Sequence, residues 1–486
     1  MIEPFSLKIY YYGESPWRFI ILKMGERNRL TLFIFRRDLR IDDNTALIHA
    51  LETSAAVIPA FIFTPQQIEH NPFRSDHCLQ FMIESLEDLE KQLHKKKGEL
   101  SLFYGEPHEI VEECIDKLDI DAVMVNRDYT PYSQARDKKL ATLCKKRTID
   151  FLIFDDALLH PPEKTVKADG KPYTIFTPFF RNASKMEISA PQSNRYANYY
   201  HHKIPFAKEN IKAKILPKRK RDPFCRGGRE EGLNILSHLK THKKYEAERD
   251  FPALTGTTHL SPHLKFTTCS PREIYYAIKK RLGEHHPLLR QLYWRDFFTS
   301  IGFYFPHVFT GAFHKKYDDL PWSTDKKTFR LWCEGKTGFP IVDAGMRELN
   351  ETGWMHNRVR MIVSSFLVKD LHLSWQWGEK YFAQTLVDYD PCVNNGNWQW
   401  AASTGCDAQP YFRIFNPWNQ QEKFDPECHY IKKWIPELSS VPIPIIHDWN
   451  NPKHHDVATS YLKPIIDHAK EVPLALKTYK NCSTLS

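Results

Sequence analysis

From residue 30 the chain alternates between short apolar runs rich in β-branched residues and longer polar stretches. The runs are Leu32–Phe35, Ala55–Phe63, Leu100–Tyr104, Ala122–Asn126 and Phe151–Phe154; Asp76–Lys97 and Tyr132–Lys145 are helix-favouring stretches between them. Short buried strands alternating with amphipathic helices predict a doubly wound α/β domain with a parallel sheet. Such sheets take ligands at the carboxyl ends of their strands. From about residue 160 to 230 this rhythm is lost, and Pro, Asn and basic residues gather, including Lys218-Arg219-Lys220-Arg221. That stretch reads as a long, solvated connection. Beyond it helical periodicity takes over, as in Lys326–Trp332, Val342–Glu351 and Asn357–Leu371, with Gly or Pro between the segments. The expected organisation is an N-terminal extension over 1–29, an α/β domain over 30–160, a linker over 161–229 and an all-α domain over 230–480. Residues 1–28 share no pattern with the first strand, and Met24 is a candidate start.

Composition sharpens this picture. A chain of 486 residues exceeds one ordinary core, so two domains are the natural expectation. Eleven of the twelve tryptophans lie between Trp294 and Trp449, which separates the two halves in composition. The net charge of +9 leaves a polyanionic partner such as nucleic acid open. The ten cysteines are scattered, with the nearest pair, Cys392 and Cys406, fourteen residues apart. That spacing speaks against zinc ribbons, redox dithiols and closely ligated iron–sulfur clusters, and fits free thiols in a reducing compartment. No apolar run approaches the roughly 20 residues a membrane-spanning helix needs, so a cytoplasmic protein is expected, with neither membrane nor metal as a partner. No GxGxxG follows a strand, which disfavours a nicotinamide-linked oxidoreductase.

The densest sequence runs from Lys336-Thr337-Gly338-Phe339-Pro340 to Asn416-Pro417. It contains Gly353-Trp354-Met355-His356-Asn357-Arg358-Val359-Arg360-Met361, then Asp388-Tyr389-Asp390. Asn394-Asn395-Gly396-Asn397-Trp398-Gln399-Trp400 and Tyr411-Phe412-Arg413-Ile414-Phe415 follow. With Phe35-Arg36-Arg37-Asp38-Leu39-Arg40 near the start, these strings in this order resemble the photolyase/cryptochrome family, and within it the class I photolyases of cyclobutane pyrimidine dimers. The resemblance extends from about residue 30 to 480. It implies an α/β antenna domain, a linker and a helical domain holding FAD. It also implies a reaction in which the excited, reduced flavin lends an electron to a pyrimidine dimer in DNA. A second, antenna chromophore, methenyltetrahydrofolate or a deazaflavin, is implied in the α/β domain, where Asn126, Arg127 and Asp128 follow a predicted strand. The protein is expected to act as a monomer.

Carried over position by position, the resemblance implies a set of site residues. Tyr245 and the segment Thr257-Thr258-His259-Leu260-Ser261 match the flavin's phosphate-binding region, though the family often has Ser and Arg where Thr258 and His259 stand. A pyrophosphate calls for hydroxyls, amides and cations. Arg360 and Asp388 match an ion pair beside the flavin ring, Asp390 a residue bonding the ring edge, and Asn394 the residue facing its reactive nitrogen. Plant cryptochromes have an acid at that last position and insect ones a thiol, so Asn favours a photolyase. Trp398, Trp375 and Trp322 match a relay of oxidisable indoles from flavin to surface. Trp294 and Trp400 match the walls of a pocket for a flipped-out lesion, with Met361 beside them; enzymes of this family reach their target by extruding it from the base stack. Arg249 and Arg358 match clamps on DNA phosphates, and Arg413 and Lys423 add further basic contacts.

Gln291 stands where dimer-repair enzymes usually place Glu. Repairers of the six-four photoproduct tend to have Gln there, but they place His at the positions of Asn357 and Met361, and neither of these can transfer a proton. Dimer repair is therefore the expectation. A six-four photolyase and a cryptochrome photosensor remain the alternatives.

Overall fold

The computed structural model describes residues 28–208, 210–216 and 224–484. Met24 and the basic run Lys218–Arg221 lie outside the described residues. Five strands form one sheet: β1 (Asn28–Phe35), β2 (Ser54–Phe63), β3 (Ser101–Tyr104), β4 (Ala122–Asn126) and β5 (Asp150–Phe154). They run parallel in the order β3-β2-β1-β4-β5. The central strand β1 is buried from Leu30 to Phe35, with Phe33 and Phe35 facing one core and Leu32 and Ile34 the other. Two covered faces explain why its sequence reads as a continuous apolar run. The crossovers are α1 (Thr45–Thr53), α2 (Asp76–Lys95), α3 (Pro107–Leu118) and α4 (Pro131–Lys146). Asn44, Ser75 and Thr130 cap three of them by accepting a backbone N–H, and Pro131 opens the last.

No strand follows β5 among the described residues. The helical half is built on α5 (Phe176–Ala183), α6 (Ser261–Lys265), α7 (Pro271–Leu282), α8 (Pro287–Tyr304), α9 (Lys326–Cys333) and α10 (Pro340–Thr352). It continues through α11 (Asn357–Ser365), α12 (Trp375–Thr385), α13 (Pro391–Ala402), α14 (Pro417–Phe424) and α15 (His468–Thr484). The segment expected as one helix from Asn357 to Leu371 changes pitch, running as α-helix to Ser365 and as a π-helical turn over Phe366–Asp370.

The stretch read as a solvated connection is tied down along its course. Tyr199 bridges Val57 of β2, with Tyr200 N–H donating to Val57 O at 2.7 Å. Phe176 and Phe179 of α5 are buried against Trp294 and Phe297 of α8. The two halves share a core in which Phe266, Trp354 and Val387 pack with residues of the sheet. Buried charges cross the same boundary: Arg40 and Arg272 both pair with Asp156, at 2.6 and 2.9 Å.

Candidate active site

The helical half gathers the expected flavin residues around the turn between α12 and α13. Arg360, one turn into α11, meets Asp388 with both guanidinium nitrogens, Nη1 to Oδ1 at 3.2 Å and Nη2 to Oδ2 at 2.9 Å. Its Nε donates to Met355 O, which fixes the fork's orientation. Ser261 Oγ donates to Asp388 Oδ2 at 2.6 Å, so the expected phosphate segment and this ion pair form one unit.

Asp390 caps α13, its Oδ1 accepting from the N–H groups of Cys392 and Val393. Its Oδ2 accepts from Arg37 Nη2 at 2.5 Å, and Arg37 also lies 3.6 Å from Asp128. Burial opposes charge on Asp390, but Arg37, Lys265 and Arg295 outweigh it and hold the carboxyl below its usual range. Arg37 belongs to the string after β1 that carried the resemblance, yet nothing in its local sequence marks a role for it. Its partner lies more than 350 residues away.

In the segment 257–261, Thr257 and Thr258 are half-buried, Leu260 is buried, and His259 takes a left-handed backbone with φ 54°. Phe224 and Trp354 stack on each other at 4.7 Å, and the His259 ring packs edge-on against both, at 4.8 and 4.7 Å. Burial first, then His242, lowers its pKa to about 4. A neutral imidazole therefore stands where the family often has a cation. Tyr245 is buried, with the Arg249 guanidinium over its ring at 5.8 Å.

Helix α13 carries Asn394, Trp398 and Trp400. Asn394 Nδ2 donates to Glu379 O at 3.2 Å, and Asn395 Nδ2 donates to the Glu379 carboxyl. Burial pushes Glu379 up to about 7. Trp398 is buried on Gly378 and Leu367, with Phe382 and Trp332 as its ring neighbours. Trp375 opens the same helix as Gly378, and half-buried Trp322 has its ring 6.4 Å from that of Tyr479. Trp375 is not among the ring partners of Trp398.

On the expected DNA side, Asn357 is exposed and its Nδ2 lies 3.9 Å from Met361 Sδ, as a spacing of four on α11 requires. Arg358, Lys423 and Phe251 converge on Phe424. The Arg358 guanidinium lies 4.3 Å over that ring and Lys423 Nζ 5.3 Å, while Phe251 packs edge-on at 6.2 Å. Arg358 Nη2 donates to Asp250 Oδ1 at 2.9 Å. Phe424 and Asp250 were missed in sequence; only their adjacency to Lys423 and Arg249 pointed their way. Arg413 is exposed on a separate loop. Gln291 and Trp400 are half-buried. Trp294 stacks on Phe176 at 3.6 Å and 6°, so one of its faces is already covered.

At the predicted antenna edge, Asn126 donates to Asp38 and Asn44, while Arg127 pairs with Glu163 and Asp155. These groups bind the strand end to its surroundings.

FAD suits the donor set around Asp388. Ser261, Thr257 and Thr258 offer hydroxyls, Arg360 a fixed cation, Asp390 a carboxylate and Asn394 an amide. At the cap of α11, one turn before Arg360, His356 Nε2 is buried without a hydrogen-bond partner, a polar atom unsatisfied by the protein itself.

Comparison with known proteins agrees with this reading. Residues 31–195 match the family model "DNA photolyase", and residues 288–481 match "FAD binding domain of DNA photolyase". A deoxyribodipyrimidine photo-lyase of Alkalihalophilus pseudofirmus is 36% identical over 483 residues, covering 94% of this chain and 99% of its own. A photolyase from Sulfolobus tokodaii, solved with two FAD molecules, superposes with a TM-score of 0.85 at 42% identity, over 93% of this chain and 100% of its own. A class III photolyase from Agrobacterium tumefaciens gives a TM-score of 0.87 at 34% identity, over 95% and 99%. With a parallel-sheet domain, a helical domain built around a flavin-competent donor set, and relatives matched along nearly their whole length, the chain belongs to the DNA photolyase family and is an FAD-dependent enzyme of it.

Proposed function

We propose that the enzyme repairs cyclobutane pyrimidine dimers in DNA, using light. Bound FAD, reduced and excited by light, would supply the electron that opens the cyclobutane ring and would recover it afterwards. The chain's own residues orient and hold. Arg360 and Asp388 fix one another and would stand beside the ring; Asp390 would accept from its edge, and Asn394, its amide tied to Glu379 O, would face it without offering a readily transferred proton. Arg249, Arg358 and Lys423 hold the DNA backbone, with Arg413 adding a contact from its loop. Gln291 bonds the polar edge of the flipped pyrimidine while Trp400 and Trp294 wall its pocket. Trp398, Trp375 and Trp322 re-reduce the flavin when it has become oxidised. A second chromophore gathers light in the α/β domain. The folate and deazaflavin expected from sequence are joined by a flavin as a third option, since one similar structure contains two FAD molecules.

The observation that carries the choice of lesion is the exposed face of α11, where Asn357 lies against the Met361 thioether. It presents neither an acid nor an imidazole, so a repair that needs proton transfer to the lesion has no donor there. The test is light-dependent repair of two oligonucleotides, each with one lesion. The dimer should be repaired, with similar or tighter lesion binding in Gln291→Glu, because a charge-assisted bond is roughly twice as strong as a neutral one. Repair of the six-four lesion alone overturns this reading. Repair of neither by a flavin-loaded, photoreducible protein favours a photosensor.

A further inference from the structure

The loop after α13 runs from Ser403 to Tyr411 and leads directly to Phe412 and Arg413. Both of these are exposed, Phe412 by 67%. Behind the loop lies a cleft of about 460 Å³, walled on its other side by Thr174, Ile175, Phe313 and His314. Thr404 Oγ1 and Gln409 Oε1 are buried in the loop with no hydrogen-bond partner among the described residues. A loop backed by open space, with two polar groups unused, is placed by its fixed points more than by packing.

One side chain reaches both ends of it. Tyr479 of α15 is buried, and its hydroxyl donates at 2.7 Å to the carbonyl of Ala402, the last residue of α13. Its ring lies parallel to that of Tyr411, at 3° with centroids 6.0 Å apart. Lys369 stands over the same ring, Nζ 3.4 Å from its centroid, and donates to Ser403 Oγ at 3.1 Å. Lys369 is fully buried, lies in the π-helical turn, and pairs with no carboxylate among the described residues. An amine in an apolar interior is costly unless it is hydrogen-bonded, and the bond that this one makes is to the loop. π-helical turns of this kind recur at functional sites. In mid-loop, Asp407 Oδ2 accepts from the N–H of Phe176, the residue stacked on Trp294.

We propose that Tyr479 and Lys369 are positioning residues for lesion recognition, fixing both ends of the loop so that Phe412 and Arg413 meet DNA from which the dimer has been extruded. The proposal rests on the reading of this face as the DNA side. Neither residue touches DNA, and both act through the loop. A regular duplex offers phosphates all along its length, so general binding tolerates a displaced loop. A duplex opened by extrusion of two bases is one particular shape, and contacts to it depend on the loop being in register. The clamp therefore acts on the preference for damaged DNA more than on affinity for DNA as such.

The experiment is titration of the FAD-loaded protein, in the dark, with a duplex carrying one cyclobutane dimer and with the same duplex undamaged, followed by fluorescence anisotropy. Tyr479→Leu removes the hydroxyl and the stack, and Lys369→Met removes the amine. Both should lose affinity for the damaged duplex severalfold and change little on the undamaged one. Tyr479→Phe, which keeps the stack, should retain most of the preference. Bound FAD per chain, read from its visible absorption, checks that the fold survives. Where a buried substitution does not load FAD, Tyr411→Leu decides, because it breaks the same stack from a half-buried position in the loop. An unchanged ratio of the two affinities in the flavin-loaded variants overturns the proposal. Equal losses on both duplexes overturn it as well, since they mark a general loss of structure. Arg413→Ala binding both duplexes as the parent does would instead locate the failure in the reading of this face as the DNA side.

Discussion

At the scale of single residues, the proposed flavin site turns on the Arg360–Asp388 pair. The Asp388 side chain is 5% exposed and accepts from both Arg360 and Ser261. Removing one member of such a pair leaves a buried charge without its partner, at roughly 3–5 kcal/mol. Asp388→Ala and Arg360→Ala should both be purified largely without FAD. Wild-type flavin content in either would show that the pair is only a structural bridge. Glu379 supports the other side of the site, and its ionisation should register in stability. Its folded value of about 7 lies above the ordinary 4.5, so the fold binds the proton more tightly than the unfolded chain does. Stability is then lost as pH rises from 4.5 through about 7, and nothing further is lost above that. Glu379→Gln keeps the acceptor for Asn395 but cannot ionise. Its melting temperature should fall less than the parent's between about pH 5 and pH 8. Asp296 and Glu348, two other carboxyls pushed up to about 7 by burial, add to the slope that remains, while His259, His263 and His356, lowered to about 4 by burial, oppose it below about pH 6.5. An identical slope in the variant would mean that Glu379 is already charged in the fold.

At the scale of elements, α13 is set by close approach. A Cβ built on Gly378 of α12 would lie 2.1 Å from the Trp398 ring, and one on Gly396 would lie 2.1 Å from Phe298 of α8. Two missing side chains thus let α13 sink between its neighbours and place Asn394 and Trp398 on its buried side. Gly378→Ala should force Trp398 to shift, costing about 1–3 kcal/mol as overpacking does. A lowered melting temperature together with slower flavin photoreduction is the expected pair of effects, and a variant unchanged in both would show that this contact does not position Trp398. The same scale shows what could be read in sequence. The five strands and two of their crossovers, α2 and α4, were legible because strands buried on both faces leave apolar runs between the amphipathic stretches. Helix α5 was not, because eight residues carry barely two helical turns and Phe176 and Phe179 bury against a partner more than a hundred positions away. The π-helical turn after Ser365 was illegible for another reason. Both pitches bury the same apolar residues, and the change follows from packing around Phe366–Asp370. The flavin residues were legible only as strings resembling a family. Their partners Arg37, Glu379 and Asp250 were not, since pairings between distant segments leave no local pattern.

At the scale of the whole molecule, the sheet domain serves the helical one directly. Arg37 reaches from the end of β1 to Asp390, its Nε donates to Lys265 O, and Leu39 N–H donates to Phe266 O. The strand ends, where such sheets place ligands, are here also part of the wall behind the flavin residues. Charge is arranged just as unevenly on the outer surface. The net charge of +9 is a property of the entire chain, but affinity for DNA depends on the few cations that meet phosphates. Around Phe424 the proposed contacts are Arg358 and Lys423, with Asp250 paired to Arg358. Each phosphate contact should contribute a slope of roughly −0.9 to the logarithm of affinity against the logarithm of salt, through release of counterions. Arg358→Ala should flatten that slope by about one unit. Asp250→Asn should act in the opposite sense. The Arg358 side chain is 17% exposed and already rests on the Phe424 ring, so losing the carboxylate frees its charge for DNA without freeing its position. Binding at low salt should tighten, and the slope should steepen toward the full contribution of Arg358. Titrations of both variants on undamaged duplex at several salt concentrations separate the cases. If neither substitution changes the slope, Arg358 and Asp250 form a bridge that stays closed on DNA, and the basic contacts lie elsewhere, with exposed Arg413 the next residue to test.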